Sequence, residues 1–105
     1  MDLQRLTDDV ELISQRYAEV FDIRRDEAWF MLKLQEEVGE LTQAFLMRSG
    51  QARPKGHTPE QLQANVGAEV ADVLCQLLLL ARHLDVDVAA EVAEKWLVRL
   101  PASGA

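Results

Sequence analysis

Residues Lys33–Leu41 read KLQEEVGEL, and residues Ala68–Leu74 read AEVADVL. Both stretches stand inside long segments of helical apolar periodicity, where acidic side chains have no evident packing role. Acids three residues apart leave the same side of a helix, so Glu37 with Glu40 and Glu69 with Asp72 form two ready-made pairs. Two such pairs facing each other would make a cage of oxygen ligands, the surroundings that a hard divalent cation such as Mg²⁺ requires. The fold that brings them face to face is an antiparallel helical hairpin.

Helical geometry sharpens this expectation. The apolar stripe of the first stretch runs through Phe30, Leu34, Val38, Leu41 and Phe45. Measured from Leu34, Glu37 lies roughly 60° to one side and Glu40 roughly 120° to the same side. The second stripe runs through Leu62, Val66, Val70, Val73, Leu77, Leu80 and Leu84. Measured from Val66, Glu69 and Asp72 are offset by roughly 60° and 120° in the same rotational sense. Each pair lies about three turns from the segment joining the helices, so heights match as well. Glu37 is expected near Asp72 and Glu40 near Glu69. Glu36 points further round, which suits an outer ligand, a second metal or a general base.

Outward from these stretches, the rest of the chain also reads as helix. Leu3, Leu6, Val10, Ile13, Tyr17 and Val20 mark an amphipathic first helix. After a break at Phe21–Arg25, Asp26 is a suitable N-cap for a second helix reaching about Arg48. Ser49–Thr58, with Gly50, Pro54 and Gly56, is the one clear loop. Thr58, Pro59 and Gln61 spell a helix start, with proline in the first turn and a capping box. That third helix extends to about Leu84. Asp85 or Asp87 then caps a short fourth helix that stops before Pro101, and residues 101–105 read as a disordered tail. Residues 1–100 therefore form a single all-α domain, a four-helix bundle-like unit. The third helix also carries Ala68, Ala71, Cys75, Leu78 and Leu79 off its stripe, more apolar surface than three short partners can wrap. A homodimer or homotetramer is the expected remedy.

A net charge of −7 and the lack of a basic stripe argue against a nucleic-acid polymer as partner. The single Cys75 points to a reducing compartment. The opening MDLQRLTDDV is charged and unlike a signal peptide, and the uninterrupted apolar run Leu77–Ala81 is too short for a membrane span. A cytoplasmic protein with no membrane partner is expected.

The two acidic stretches together resemble the EExxE…ExxD signature of the all-α nucleoside triphosphate pyrophosphohydrolases, the MazG-like superfamily. The resemblance covers roughly Trp29–Arg99 and includes the downstream ARHLDVDVAAEVAEKW. The interval from Glu40 to Glu69 is longer than in the family's compact members. The resemblance implies Mg²⁺, with Mn²⁺ as a substitute, held by Glu37, Glu40, Glu69 and Asp72. Glu36 would be the catalytic residue that orders the attacking water or holds a further ion. The implied reaction hydrolyses the α–β phosphoanhydride of a (deoxy)nucleoside triphosphate to the monophosphate and pyrophosphate, as house-cleaning or control of the nucleotide pool. Cations would offset the polyphosphate charge, with Lys95 and Arg99, four apart on the last helix, and Lys33, one turn before Glu37, as candidates. Arg48, Arg53 and Lys55 in or beside the loop are further candidates. Trp29 lies on the flank of the acids, where it could stack on a base or pack against the first helix or another subunit. Trp96 reads as core or interface, and His57 and His83 as surface residues. Two other functions fit the same acids: phosphoribosyl-ATP pyrophosphohydrolase, and a non-catalytic helical module that binds a protein or nucleotide. The lack of a histidine three residues after Glu37 or Glu69 argues against a ferritin-like di-iron site.

Overall fold

Each helix begins where an oxygen-bearing side chain can cap it. In the computed structural model, which describes residues 2–102, α1 spans Leu3–Val20, α2 Glu27–Arg48, α3 Pro59–His83 and α4 Val88–Lys95, followed by a 3₁₀ turn at Leu97–Arg99. The final residues of the expected disordered tail, 103–105, lie outside the described range. Asp2 accepts from Gln4 N at 2.8 Å, Asp26 from Trp29 N at 2.8 Å and Asp87 from Ala90 N at 3.0 Å. Thr58 and Gln61 form the reciprocal capping box, with bonds of 3.2 and 2.9 Å. These side chains occupy donors that the first turn of a helix otherwise leaves unpaired.

The three long helices also stop in one way. Ile23 N donates to Ala18 O at 2.8 Å, Gln51 N to Leu46 O at 3.0 Å, and Val86 N to Ala81 O at 2.8 Å. Each is the six-to-one bond of a Schellman motif, which needs a left-handed residue just before the donor. Asp22 (φ 52°), Gly50 (φ 83°) and Asp85 (φ 58°) fill that position. The turn from α3 to α4 is thus set by Asp85 and the helix start by Asp87.

The hairpin of α2 and α3 is the framework. Descending α2 matches ascending α3: Arg48 bonds Gln63 near the loop, the four acids meet midway, and Phe30 packs with Leu79 and Leu80 at the far end. There the Phe30 ring also lies 4.7 Å from His83. α1 rests on the C-terminal half of α3, joined by an Arg82–Asp8 ion pair. Arg25, in the α1–α2 connection, grips Glu11 through both guanidinium ends at 2.7 and 2.9 Å and reaches Ser14 at 3.1 Å. Its guanidinium lies 5.2 Å from the Phe30 ring centre. The Arg25 bonds hold the Glu11 carboxyl below its ordinary range, outweighing partial burial.

Two packing expectations need correction. The buried face of α1 is Thr7, Ser14 and Ala18, whose small side chains let the helix lie close, while Ile13, Tyr17 and Val20 of its apolar stripe remain exposed. On α3 the best-buried residues are Leu78 and Leu79, which lie off the predicted stripe, whereas Val70, Leu77 and Leu84 on it are exposed. The reason is common to both. α1 packs along α3 on the side where Leu78 shares a cleft wall with Leu3 and Thr7, leaving part of the hairpin stripe and most of its own exposed.

Four helices are present, but one chain does not close them into a bundle. α4 packs on the 3₁₀ turn and makes no comparable contact with the other helices. Its continuation leaves Trp96, Leu97, Val98 and Leu100 exposed, so Trp96 is not core within one chain. The radius of gyration is 17.0 Å, against about 13 Å for a compact chain of this length. Although the run Leu77–Ala81 is short, α3 as a whole is long and apolar enough to cross a membrane by length and composition alone, a property shared by core helices of soluble proteins.

The small core makes each buried residue count. Leu79→Ala, which empties the space against Phe30 and Leu80, is expected to cost about 2–5 kcal/mol in urea unfolding at fixed protein concentration. A loss below about 1 kcal/mol would show that this cluster does not anchor the hairpin.

Candidate metal centre

The α2–α3 register decides where the acids go. With Phe30 fixed against Leu79 and Leu80, Glu37 and Glu40 fall level with Glu69 and Asp72. One carboxylate oxygen from each of the four lies within 4.8 Å of all the others. Glu37 and Glu69 are the inner, half-buried pair, and Glu40 and Asp72 the outer, exposed pair. The group is therefore walled by the hairpin on one side and open to solvent on the other.

Its electrostatics are unbalanced. Among the described residues none of the four forms a salt bridge. Glu37 Oε2 and Glu69 Oε2 are buried without a hydrogen-bond partner. The Glu37 carboxyl is pushed up from 4.5 to about 7, first by burial, then by the close approach and charge of Glu40, then by the charges of Asp72 and Glu69. Glu69 is also raised, by burial and then by the charges of Glu40 and Asp72. Such crowding stores repulsion that a divalent cation would cancel. The residues fit one. Mg²⁺ binds oxygen at about 2.1 Å, so opposite ligands stand about 4.2 Å apart, and the four oxygens need close only slightly around it. Two orphaned buried acceptors in an all-oxygen set suit Mg²⁺ or Mn²⁺ rather than a soft metal.

Beside the quartet, a half-open cavity of about 400 Å³ lies between α1, α2 and α3. Glu37 and Asp72 belong to both the quartet and the cavity wall, which also includes Tyr17, Trp29, Lys33 and Gln76. Trp29 stacks edge-on against Phe30 at 5.1 Å while lining the cavity, so it joins core and site. Lys33 Nζ lies 3.3 Å from Glu36 and 5.7 Å from the Tyr17 ring centre. Glu36 stands outside the quartet, 53% exposed, as its position on the helix predicts. A larger cleft of about 660 Å³, between the start of α1 and the α3–α4 turn, contains none of the predicted site residues.

Not every expected residue arrives. Lys95 ends α4 and Arg99 stands in the 3₁₀ turn, so they do not share one helix, and neither lines the cavity within one chain. Arg48 is engaged with Gln63 beside the loop, and Arg53 and Lys55 are exposed in it. Sequence patterning overlooked the α1 contribution, Tyr17 and Ser14, and two further α3 residues, Cys75 and Gln76. Gln76 stands four residues after Asp72, a spacing that places both on one helix face and could have singled it out. The Cys75 thiol is pushed up by burial and the charge of Asp72, which makes it a weak nucleophile.

No family model, curated protein or solved structure matches this chain.

A raised carboxyl pKa means that the folded chain holds its proton more tightly than the unfolded chain does. Stability in chelator should therefore fall as pH rises from 4.5 towards and past about 7, the window set by Glu37. Glu11 acts oppositely, its stabilisation being lost only as pH falls through its depressed value. Thermal melts from pH 5 to 8 are expected to show this decline, to flatten in Glu37→Gln, and to recover in wild type on adding Mg²⁺. A melting temperature that rises over the same range without metal would contradict the quartet's electrostatics.

Proposed function

We propose that this chain is a cytoplasmic, Mg²⁺-dependent nucleotide pyrophosphohydrolase, acting on a (deoxy)nucleoside triphosphate to release the monophosphate and pyrophosphate. The observation that carries the reading is the quartet itself: four carboxylates from two helices with oxygens within 4.8 Å, two of them buried and unpaired. The EExxE…ExxD pattern supports the same reading, because Glu36, Glu37, Glu40, Glu69 and Asp72 supply all five of its acids.

Glu37, Glu40, Glu69 and Asp72 would hold the metal. When bound, Mg²⁺ supplies positive charge to phosphoryl oxygens and acidifies water. The solvent-open side, bordered by Glu40 and Asp72, receives the polyphosphate, and the adjoining cavity, which shares Glu37 and Asp72 with the quartet, receives the rest of the nucleotide. Water adds to the α-phosphorus in line with the bridging oxygen, which leaves with pyrophosphate. Glu36, exposed and next to Glu37, takes the proton of that water. Lys33 lines the cavity and can leave its loose pair with Glu36 for a phosphate oxygen, freeing Glu36 at the same time. Trp29 forms part of the wall that receives the nucleoside.

The apolar surface belongs to the same proposal. Leu12 and Ile13 on α1, and Trp96 to Leu100 beyond α4, are too exposed for an isolated chain and suit burial by a second copy. A homodimer or homotetramer would also give Lys95 and Arg99 a route to a phosphate tail, across a subunit boundary. Glu69 and Asp72, midway along α3, would each cost about 2.5–3.5 kcal/mol at a bilayer centre if ionised, which favours a protein partner over lipid.

Purified protein should release pyrophosphate from at least one member of a nucleoside triphosphate panel only with Mg²⁺ or Mn²⁺. Glu69→Gln and Asp72→Asn are expected to lower kcat/KM by about 10²-fold or more, and Glu36→Gln to lower kcat by about 10²–10⁴-fold. Preferential turnover of phosphoribosyl-ATP would reassign the substrate. Absence of turnover on every nucleotide would leave a non-catalytic binding module.

Sedimentation equilibrium in detergent-free buffer should give at least twice the chain mass of 11.8 kDa. A monomer, or a protein recovered only in detergent, would overturn the assembly proposed.

A further inference from the structure

The cavity beside the quartet contains, besides the Ser14 and Tyr17 hydroxyls and the Cys75 thiol, an amide that metal binding and hydrolysis do not use. Gln76 lines it, one turn beyond Asp72 on α3, and its Oε1 is buried without a hydrogen-bond partner. Buried side-chain acceptors are nearly always paired, so an orphan at a cavity wall marks bonding capacity left for something that enters. The remaining walls say what shape enters. Trp29 and Tyr17 bring aromatic surface, and Leu79 brings apolar surface at the base of the core cluster. A cavity of about 400 Å³ that combines aromatic and aliphatic walls with the Gln76 amide and the Lys33 ammonium, and meets the Glu37 and Asp72 carboxylates where it joins the quartet, suits a flat heterocycle with a polar edge.

We propose that this cavity seats the nucleobase and that Gln76 is the specificity-determining residue, its amide pairing with the hydrogen-bonding edge of the base. This inference rests on the nucleotide reading of the quartet. A glutamine amide offers an acceptor beside two donors, and by turning over it can present either order. It therefore matches a base edge that carries an N–H donor next to a ring nitrogen or carbonyl acceptor. A base whose edge N–H is replaced by N-methyl leaves the amide unpaired and meets a steric clash. The placement is consistent with the chemistry: Glu37 and Asp72 lie on both cavity and quartet, so a base seated against Gln76 projects its sugar and phosphates towards the acids. Lys33 stands on the same wall, where it meets the phosphate end.

The test separates base recognition from catalysis. In chelator, with no metal and no hydrolysis, unmodified nucleosides and their N-methylated forms (thymidine and N3-methylthymidine among them) are titrated into a Trp96→Phe variant, in which fluorescence reports Trp29. At least one unmodified nucleoside should quench Trp29. Its affinity should fall roughly ten- to hundredfold on methylation of its edge, and similarly in Gln76→Met. The methylated ligand keeps the test independent of whether Gln76→Met folds. Failure of every nucleoside to quench Trp29, or equal binding with and without the edge N–H, would overturn the proposal even if pyrophosphate is released. So would a Gln76→Met variant that loses Mg²⁺ affinity by calorimetry while keeping its base preference, since the amide would then serve the metal. Gln76-dependent nucleoside binding without any hydrolysis would uphold base recognition and sink the hydrolase reading instead.

Discussion

Repulsion among four carboxylates, held level by the register of one helical hairpin, is the constraint around which the chain is organised. Glu37, Glu40, Glu69 and Asp72 could relieve it by turning outward, yet Glu37 and Glu69 keep an oxygen buried and unpaired. Holding them there takes rigid support on both sides. Towards the loop, the capping box at Thr58 and the Schellman bond at Gln51 fix where α3 starts and α2 ends. At the far end Phe30 locks against Leu79 and Leu80, and Arg25 ties the preceding turn to α1. The quartet lies between two fixed points, which is how a local cost is maintained against relaxation.

The same architecture explains why the chain is open. A hairpin that spends its middle on acids has less apolar surface with which to recruit α1 and α4. α1 makes contact through Thr7, Ser14 and Ala18, and turns Leu12 and Ile13 outward. The segment from α4 to Leu100 carries its apolar residues away from the hairpin altogether. Site and unfilled surface are thus two consequences of one distribution of residues, and a second copy of the chain would resolve the latter without disturbing the former.

The starts of the second and third helices were legible in the sequence. Asp26, Thr58, Pro59 and Gln61 announce helix starts through side-chain chemistry that acts within one turn, and the observed boundaries agree within a residue or two. The quartet was legible because equal offsets from two stripes survive any packing that keeps the hairpin antiparallel. What the pattern could not give was the side from which α1 approaches. Periodicity marks Ile13 and Tyr17 as inward and misses that small residues at Thr7, Ser14 and Ala18 allow closer contact. The α1 wall of the cavity follows from that approach and was not visible beforehand, whereas Gln76, one turn beyond Asp72, was within reach of the helical spacing. The spacing places Lys95 and Arg99 on one helix, because the break into a 3₁₀ turn after Lys95 carries no proline or glycine to signal it.

The central claim is that the quartet is a divalent-cation site, and Mn²⁺ electron paramagnetic resonance tests it most directly. In a titration of wild-type protein, free Mn²⁺ signal should be suppressed until the site is filled, at a stoichiometry of at least one ion per chain, and Mg²⁺ should release the bound ion. Glu69→Gln, which removes one of the two carboxylates that keep an oxygen buried and unpaired, should restore the free signal from the first addition. Equal Mn²⁺ retention by wild type and Glu69→Gln would contradict the account, because the acids would then be crowded without holding a metal.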